Sequence, residues 1–480
     1  MHITIIIHIL GFLQVFLAAA MILPIPFSLY YGESDWIALL ISSLITALIG
    51  FVAFKSTKFD RDLRPKEGFA IVTLGWIFFS IFGSLPFIIS GYIPSITDAF
   101  FETMSGFTTT GASILNDIEA LPHGILFWRS LTHWIGGMGI IVLSIAILPF
   151  LGIGGMQLFK AEVPGPVADK LTPRITETAK ILWGVYVLFS AIETGLLMLG
   201  GMNLFEALCH TFGTMATGGY STKNASIGAY HSAYIDSIII LFMIIAGTNF
   251  SIHYRFLKGD FKSYFKNQEF LFFISIIGVV TLLIGLDTFF NKYDSIGETL
   301  QKTLFQVVSI LTTTGYSTAD FEQWASSSQI LLFLMMFIGG CAGSTGGGIK
   351  VMRIYILMKF VFSEIVRLIH PHAVVSVRLG NTVVPRDVLT NVMGFFILFV
   401  FLFIIGTFAM SAMGLDIVTA FGAVAATLGN IGPGLGSVGP TDNYANIPAI
   451  GKWLLSFFML AGRLEVFTVI ILFSPSFWKK

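Results

Sequence analysis

An apolar stretch too short to cross a bilayer, followed by a polar turn with a glycine, occurs four times in this chain between longer apolar runs. The copies are DAFFETMSGFTTTGAS at 98–113, NLFEALCHTFGTMATGGYS at 203–221, ETLQKTLFQVVSILTTTGYS at 298–317 and DIVTAFGAVAATLGNIGPG at 416–434. A stretch of this length predicts a re-entrant helix at membrane depth. Non-helical backbone at that depth is tolerated only where it lines a water-filled cavity or is buried in protein. Four such turns meet this condition together if they surround one axis.

The composition identifies the class of protein. Of the 480 residues, 55% are hydrophobic and 11% are charged, and the mean hydropathy is +0.85. Soluble domains carry roughly 25% charged residues, so the chain is predicted to be an all-α polytopic membrane protein. The ten predicted spans are 3–31, 35–54, 68–92, 128–152, 180–201, 233–257, 268–290, 329–369, 389–413 and 450–474.

The repeat predicts the architecture. We expect four span–pore-helix–span repeats around a central pseudo-fourfold pore, preceded by two extra N-terminal spans. The predicted boundaries are 1–57 for the extra spans and 58–155, 156–258, 259–387 and 388–480 for pore repeats 1 to 4, the third with a broken second span.

The distribution of basic residues predicts the orientation. Most of the 27 Lys and Arg residues fall in clusters at 55–66, 160–180, 255–266, 350–386 and 479–480, all at one set of predicted membrane ends. The positive-inside rule makes those ends cytoplasmic, so both termini are predicted to be cytoplasmic. The four glycine turns then lie on the opposite, extracellular side.

The polar turns carry the chemistry of a cation filter. Carbonyl oxygens from four loops can replace the water shell of a monovalent cation, and glycine permits the positive φ that aims successive carbonyls inward. Threonine hydroxyls add oxygen ligands without a full charge. The four copies are aligned on Gly111, Gly218, Gly315 and Gly432. The predicted ion-binding residues are Thr109, Thr110, Gly111, Ala216, Thr217, Gly218, Thr313, Thr314, Gly315, Asn430, Ile431 and Gly432.

A secondary transporter with alternating access, coupled to H⁺ or Na⁺, is the alternative function. Unwound helices bind ions at the midplane in that class too, but its repeats usually come in two copies, and the four copies here favour a channel-like pore. Enzyme activity is not indicated, because the sequence has no HExxH motif, no paired intramembrane aspartates and no Ser-His arrangement. Cys209 and Cys341 show no metal-ligand spacing.

The predicted span 329–369 is too long for one helix, since it would extend about 60 Å at 1.5 Å per residue. Six glycines in the ten residues 339–348 predict that an intramembrane loop divides it. A packing bend between close helices is the alternative interpretation. The functional interpretation is a flexible gate below the filter. The predicted gate residues of this loop are Gly343, Ser344, Thr345, Gly346, Gly347 and Gly348.

Arg463 lies near the middle of the last predicted span. A charge at that depth costs about 2.5–3.5 kcal/mol on insertion scales, so it is expected to face the pore or a partner. Glu465 is two positions away and points to another side of a helix, so it is not the obvious partner. We expect Arg463 to face the pore axis beside 339–348 and to raise an electrostatic barrier to cations. Lys350 and Arg353 come just after the glycine run and are interpreted as marking the cytoplasmic end of this broken span.

The loop motifs TTTGAS, ATGGYS, TTTGYS and NIGPG, together with GGCAGSTGGGIK in the third repeat, resemble those of the TrkH/KtrB/HKT superfamily of K⁺ transport proteins. The resemblance covers approximately residues 68–475, and the extra spans within 3–54 are similar to the bacterial TrkH branch. The fourth loop departs from the others, with Asn430 and Ile431 before its glycine and Pro433 after it.

The resemblance implies K⁺ uptake across a bacterial inner membrane, with K⁺ as the bound and transported ion at the filter residues and no organic cofactor in this chain. It also implies a homodimer and a cytoplasmic, nucleotide-binding regulatory ring protein of the TrkA type. The basic stretch from Arg367 to Arg386 is a candidate docking surface for that ring, and positive-inside topology alone is the alternative interpretation.

Overall fold

The computed structural model describes residues 2–57, 64–139, 175–373, 375–380 and 382–479. These residues are mostly helical, with one short antiparallel hairpin in which Arg378 is opposite Val383. The fold is the predicted one: an all-α polytopic membrane protein with four span–pore-helix–span repeats and two additional spans at the N-terminus. The predicted boundaries between repeats stay a prediction, and the one at 155/156 lies outside the described residues.

The elements follow the repeats. The N-terminal part contains α1 (Ile3–Ala20), α2 (Ile25–Tyr30) and α3 (Trp36–Ser56). Repeat 1 contains α4 (Pro65–Gly83), α5 (Leu85–Ile89), α6 (Ile96–Phe107) and α7 (His123–Gly137). Repeat 2 contains α8 (Ile175–Leu199), α9 (Leu204–Met215), α10 (Ala233–Ala246) and α11 (Phe250–Leu257). Repeat 3 contains α12 (Ser263–Lys266), α13 (Gln268–Asn291), α14 (Ile296–Leu311), α15 (Ser326–Met335), α16 (Val351–Ile369) and the hairpin strands β1 (Arg378–Leu379) and β2 (Thr382–Val383). Repeat 4 contains α17 (Arg386–Ala412), α18 (Ile417–Leu428), α19 (Ala449–Arg463), α20 (Phe467–Ile470) and α21 (Pro475–Trp478). Short 3₁₀ turns lie at Ser226–Tyr230, Phe321–Gln323 and Ile471–Phe473.

Six of the ten predicted spans correspond to helical segments that are long and apolar enough to cross a membrane. These segments are Ile3–Tyr30, Trp36–Ser56, Lys66–Ile89, Glu177–Leu199, Gln268–Asn291 and Arg386–Ala412. The predicted break in 329–369 is confirmed, because α15 ends at Met335 and α16 begins at Val351. The part of the predicted span 128–152 beyond 139, and the predicted basic cluster between 160 and 174, lie outside the described residues.

The predicted spans at 233–257 and 450–474 each correspond to two helices joined at a sharp bend, which the sequence analysis did not predict. The axes of α10 and α11 differ by 102°, and those of α19 and the helical segment Phe467–Phe473 differ by 115°. Asn249 explains the first bend, because its side chain accepts a hydrogen bond from the Ser251 N–H and starts a new helix there. At the second bend, Glu465 and Val466 both adopt positive φ, which ends α19.

The four short helices α6, α9, α14 and α18 confirm the predicted re-entrant elements, and we call them the pore helices. Three of them begin at a residue whose side chain caps the helix: Ser95 for α6, Asn203 for α9 and Asp416 for α18. Such caps satisfy backbone N–H groups that have no partner in the first turn. Each pore helix ends where its polar turn begins, as predicted, in all four repeats.

Candidate functional site

The four polar turns share one backbone conformation. The residue after each pore helix cap has positive φ, and so does the glycine two positions later. The first set is Thr109 (53°), Thr217 (54°), Thr313 (61°) and Asn430 (55°). The second set is Gly111 (80°), Gly219 (78°), Gly315 (80°) and Gly432 (99°). We call residues 109–111, 217–219, 313–315 and 430–432 together the loop ring.

The predicted alignment of the second loop is wrong by one residue. Gly219 is equivalent to the other three ring glycines, whereas Gly218 is equivalent to Thr110. The backbone hydrogen bonds agree, because the Gly218 N–H bonds to the carbonyl five residues earlier, as the Thr110 N–H does. Ala216 is the C-cap of its pore helix and precedes the ring. The consecutive glycines at 218 and 219 left the choice open in the sequence.

The loops contact one another in cyclic order, which closes the ring. Each ring glycine lies against a backbone carbonyl oxygen of the next loop, so closely that a Cβ atom there would collide with that oxygen. The four contacts are Gly111 with the Gly218 oxygen, Gly219 with the Thr314 oxygen, Gly315 with the Ile431 oxygen and Gly432 with the Thr110 oxygen. Glycine is therefore required at these positions for two reasons: the positive φ, and the close approach of the neighbouring loop's carbonyl oxygen.

The surroundings of the ring favour a cation. All four pore helices end at the ring, and the C-terminal end of a helix carries a partial negative charge. On the other side of the ring is a small vestibule of about 100 Å³, lined by all four ring glycines. The charged residues that line the vestibule are Arg129, Lys223 and Asp442. An ion that moves from the vestibule into the ring would meet backbone carbonyls and the negative helix ends.

Threonine is strained in the positive-φ positions. A β-branched residue with φ near 55° is a backbone outlier, and such strain costs of order 1–3 kcal/mol per residue. Hydrogen bonds from other segments hold two of the three threonines, and Thr217 Oγ1 donates to the carbonyl of the preceding residue. Thr109 Oγ1 accepts a hydrogen bond from Arg463 at 2.8 Å, and Thr313 Oγ1 accepts one from the Gly347 N–H at 2.6 Å. Both partners lie on the side of the ring opposite the vestibule.

The departure in the fourth loop has a structural reason. Asn tolerates positive φ better than Thr, so Asn430 adopts the ring conformation with less strain. Its Nδ2 donates to Thr110 Oγ1 at 3.0 Å and to the Met459 carbonyl at 2.8 Å. The side chain thus ties loop 4 to loop 1 and to α19, where the ring closes.

Polar contacts that the sequence did not reveal brace the outer side of the ring. The Tyr220 hydroxyl donates to the Glu102 carbonyl on the neighbouring pore helix, and the Tyr316 hydroxyl donates to the His210 carbonyl on the next one. Arg129 and Glu102 form a fully buried ion pair at 2.7 Å, and the guanidinium lies over the Tyr220 ring. The partners are far apart in the sequence, so no local pattern predicts them.

The segment between α15 and α16, residues 336–350, lies against the inner side of the ring, and we call it the glycine-rich loop. Its Gly347 would collide with Asn430 if it carried a side chain, and its Gly346 lies near the Thr312 carbonyl. Thr345 Oγ1 donates to the Met215 carbonyl at the end of pore helix α9. The loop therefore contacts repeats 2, 3 and 4 directly below the ring, which agrees with its predicted place.

Arg463 joins the glycine-rich loop to the ring. Its Nη1 donates to Thr109 Oγ1 at 2.8 Å and to the Thr345 carbonyl at 2.7 Å. Its Nη2 donates to the carbonyls of Gly136 and Gly137 at the end of α7, at 2.7 and 2.9 Å. One guanidinium thus connects repeats 1, 3 and 4 under the ring, beside the loop as predicted.

Two more charges lie next to the glycine-rich loop. Arg353, which the sequence analysis assigned to the end of a span, is buried and pairs with Glu465 at the bend after α19. The Lys350 ammonium donates to the Gly346 carbonyl within the loop itself. Arg353 thus joins the start of α16 to the bend of repeat 4, and Lys350 stabilises the glycine-rich loop internally. The hydropathy pattern indicates neither the bend at Glu465 nor the loop carbonyl that accepts from Lys350, so it could not predict these contacts.

Comparisons with known proteins agree with this architecture. A family profile for TrkH, described as a cation transport protein, matches residues 38–480. The chain is 45% identical to the Trk system potassium uptake protein TrkH of Salmonella typhimurium and 42% identical to that of Halomonas elongata, over the full length of both chains in each case. The crystal structure of the potassium transporter TrkH from Vibrio parahaemolyticus matches over the full length of both chains, with 39% identity and a TM-score of 0.90. This chain therefore belongs to the TrkH family of cation transport proteins.

Proposed function

We propose that this protein takes up potassium across the bacterial inner membrane through a gated, channel-like pore whose selectivity filter is the loop ring. The cyclic closure of the ring is the observation that carries this proposal, because four loops in one conformation around one axis form a passage. The names of the similar proteins, which are potassium uptake proteins of Trk systems, support potassium as the ion.

In this proposal the cation binds to oxygen atoms of the ring. Carbonyl oxygens and threonine hydroxyls replace water molecules of the ion, without a full negative charge that would hold it too tightly. The negative ends of the four pore helices stabilise the cation at the ring. The ion-binding residues are then 109–111, 217–219, 313–315 and 430–432, with Gly219 in the place that the sequence analysis gave to Gly218.

We propose that the arrangement in this structure is the closed state. The positive charge of Arg463 lies one hydrogen bond below Thr109, on the path of an ion that leaves the ring. The glycine-rich loop is held across the same side by contacts with the ends of three pore helices and with Arg463. Opening requires that the loop move and that Arg463 release the Thr345 carbonyl.

The test is uptake of radioactive rubidium and sodium into proteoliposomes that contain the purified protein. We expect faster rubidium than sodium uptake in the wild type and loss of this preference in Gly315→Ser, because a side chain there collides with the Ile431 carbonyl. The matched control is Gly278→Ser, since Gly278 in α13 has open space around it. Equal preference in wild type and Gly315→Ser would contradict the filter. Uptake that requires a fixed stoichiometry of H⁺ or Na⁺ would instead support the coupled transporter.

The assembly is also part of the proposal. We expect a homodimer that binds a cytoplasmic, nucleotide-binding ring protein of the TrkA type, with the termini on the cytoplasmic side. The stretch from Arg367 to Arg386, at the membrane end opposite the vestibule, is the proposed docking surface. Co-purification with such a ring protein, and its loss when the basic residues of this stretch are neutralised, would test it. If the neutralised variant still co-purified with the ring protein, the docking surface would have to lie outside this stretch.

A further inference from the structure

A groove lies between α16 and α17 at the end of the membrane opposite the vestibule. Its volume is about 590 Å³, and residues 375–377 and Val384 of the hairpin region line one side. The residues of α16 that line it are Phe360, Ser363, Glu364 and Arg367, which the helical repeat places on one face. The two helices therefore leave an open space between them at this depth.

The lining residues of α17 are Arg386, Leu389, Thr390 and Met393, again on one helical face. The helix α17 is long and apolar enough to span a membrane from Arg386 onward, so we place Arg386 at the membrane surface and Met393 about two turns deeper. A short segment joins the end of α16 to the start of α17, so Arg367 is expected at the same end of the groove as Arg386, with Phe360 farther along it. The groove thus has a charged end at the surface and an apolar end in the membrane.

The charges at the surface end are not balanced. Arg367 pairs with Glu364 at 2.5 Å and donates a second hydrogen bond to the Val375 carbonyl at 2.8 Å. Within the described part of the chain, the Arg386 guanidinium has no hydrogen-bond or ion-pair partner. Two arginines and one glutamate give the groove a net charge of +1, which complements one phosphodiester.

We propose that this groove binds one anionic phospholipid of the leaflet in which it lies, with the phosphate on Arg386 and Arg367 and an acyl chain along Leu389, Met393 and Phe360. The ring protein proposed above would then dock on the stretch between these two arginines. A free phosphate would not use the apolar end, and a polar peptide would not match it. The lipid would lie against α16, the helix that continues directly from the glycine-rich loop. A bound lipid would therefore restrict the movement of α16 and, with it, of the loop.

The test is native mass spectrometry of the purified full-length protein, titrated in detergent with phosphatidylglycerol or phosphatidylcholine. We expect one phosphatidylglycerol to be retained per chain, with an affinity about fivefold lower in Arg386→Gln, since a Lys or Arg near a membrane surface contributes about that factor. Leu389→Trp fills the apolar end and should also lower retention. Arg378→Gln removes a charge from the neighbouring hairpin, outside the groove lining, and should bind like the wild type. An unchanged unfolding temperature of the variants in detergent shows that they are folded.

Three results would overturn the proposal. Equal retention in wild type and Arg386→Gln would place the lipid elsewhere, and equal retention of phosphatidylcholine would remove the role of charge. Displacement of bound phosphatidylglycerol by inorganic phosphate, with full retention in Leu389→Trp, would make the groove a free-anion site. Because binding is measured without ion flux, the result is independent of whether the loop ring conducts.

Discussion

Arg463→Ala tests the electrostatic barrier below the ring. The Arg463 Nη1 lies 2.8 Å from Thr109 Oγ1, so a cation that binds this hydroxyl would be about 6 Å from the guanidinium charge. With an effective dielectric constant of about 20, Coulomb's law gives a repulsion of about 3 kcal/mol at that distance. Removal of the charge is then expected to raise the rate of ion passage by up to about a hundredfold.

Hydrogen bonding adds to this expectation in the same direction. The alanine variant also releases the Thr345 carbonyl, so the glycine-rich loop loses one of its contacts below the ring. Arg463→Lys keeps the charge but cannot donate to four oxygens in the same geometry, and its flux should lie between those of wild type and alanine variant. A lysine variant with flux close to the wild type would indicate a barrier made mainly of charge, and one with flux close to the alanine variant would indicate a barrier made mainly of the hydrogen bonds.

The assay is the rate of rubidium uptake into proteoliposomes at equal protein incorporation, measured without any regulatory partner. Lys258→Ala, which removes a charge at the end of α11, is the matched control and should behave like the wild type. The unfolding temperature in detergent shows whether the variants are folded. Folded Arg463→Ala protein with wild-type flux would refute the barrier, since neither the charge nor the loop contact would then limit passage.

Three further predictions follow from contacts around the ring. Gly219→Ala should abolish uptake, because its Cβ would collide with the Thr314 carbonyl, and retained wild-type uptake would contradict the corrected alignment of loop 2. Glu102→Gln should lower the free energy of unfolding by about 3–5 kcal/mol, because it leaves the buried charge of Arg129 uncompensated. Chemical unfolding in detergent measures this free energy, and a small loss would mean that the ion pair is dispensable. Asn430→Thr should reduce the ratio of rubidium to sodium uptake, because it removes the contact between loops 4 and 1, and an unchanged ratio would show that this contact does not set the ring.

Much of the fold follows from the sequence because a bilayer restricts what an apolar chain can do. A stretch too short to span, repeated four times before a polar glycine turn, has few solutions in a membrane. The division of 329–369 was equally predictable, since so many glycines cannot support a helix. The same reasoning placed Arg463 near the ring, because an intramembrane charge needs a polar partner.

Other features were not predictable for physical reasons. The bend between α10 and α11 lies at a short interruption, Gly247 to Asn249, of an otherwise apolar run. Hydropathy reports side-chain character rather than backbone direction, and the cap at Asn249 was the available signal. The pair of Arg353 and Glu465 joins residues more than a hundred positions apart, so it depends on how the repeats pack. The register of loop 2 depended on which of two consecutive glycines has positive φ, and that is a property of the folded backbone.

The most direct test of the central claim is the position of a bound ion. Crystals of the protein soaked with rubidium or thallium would show the ion by its anomalous scattering. We predict a peak on the axis of the loop ring, within coordination distance of oxygen atoms from all four loops. A peak held by one or two loops away from this axis, with none at the ring, would contradict the claim that the four loops form the filter.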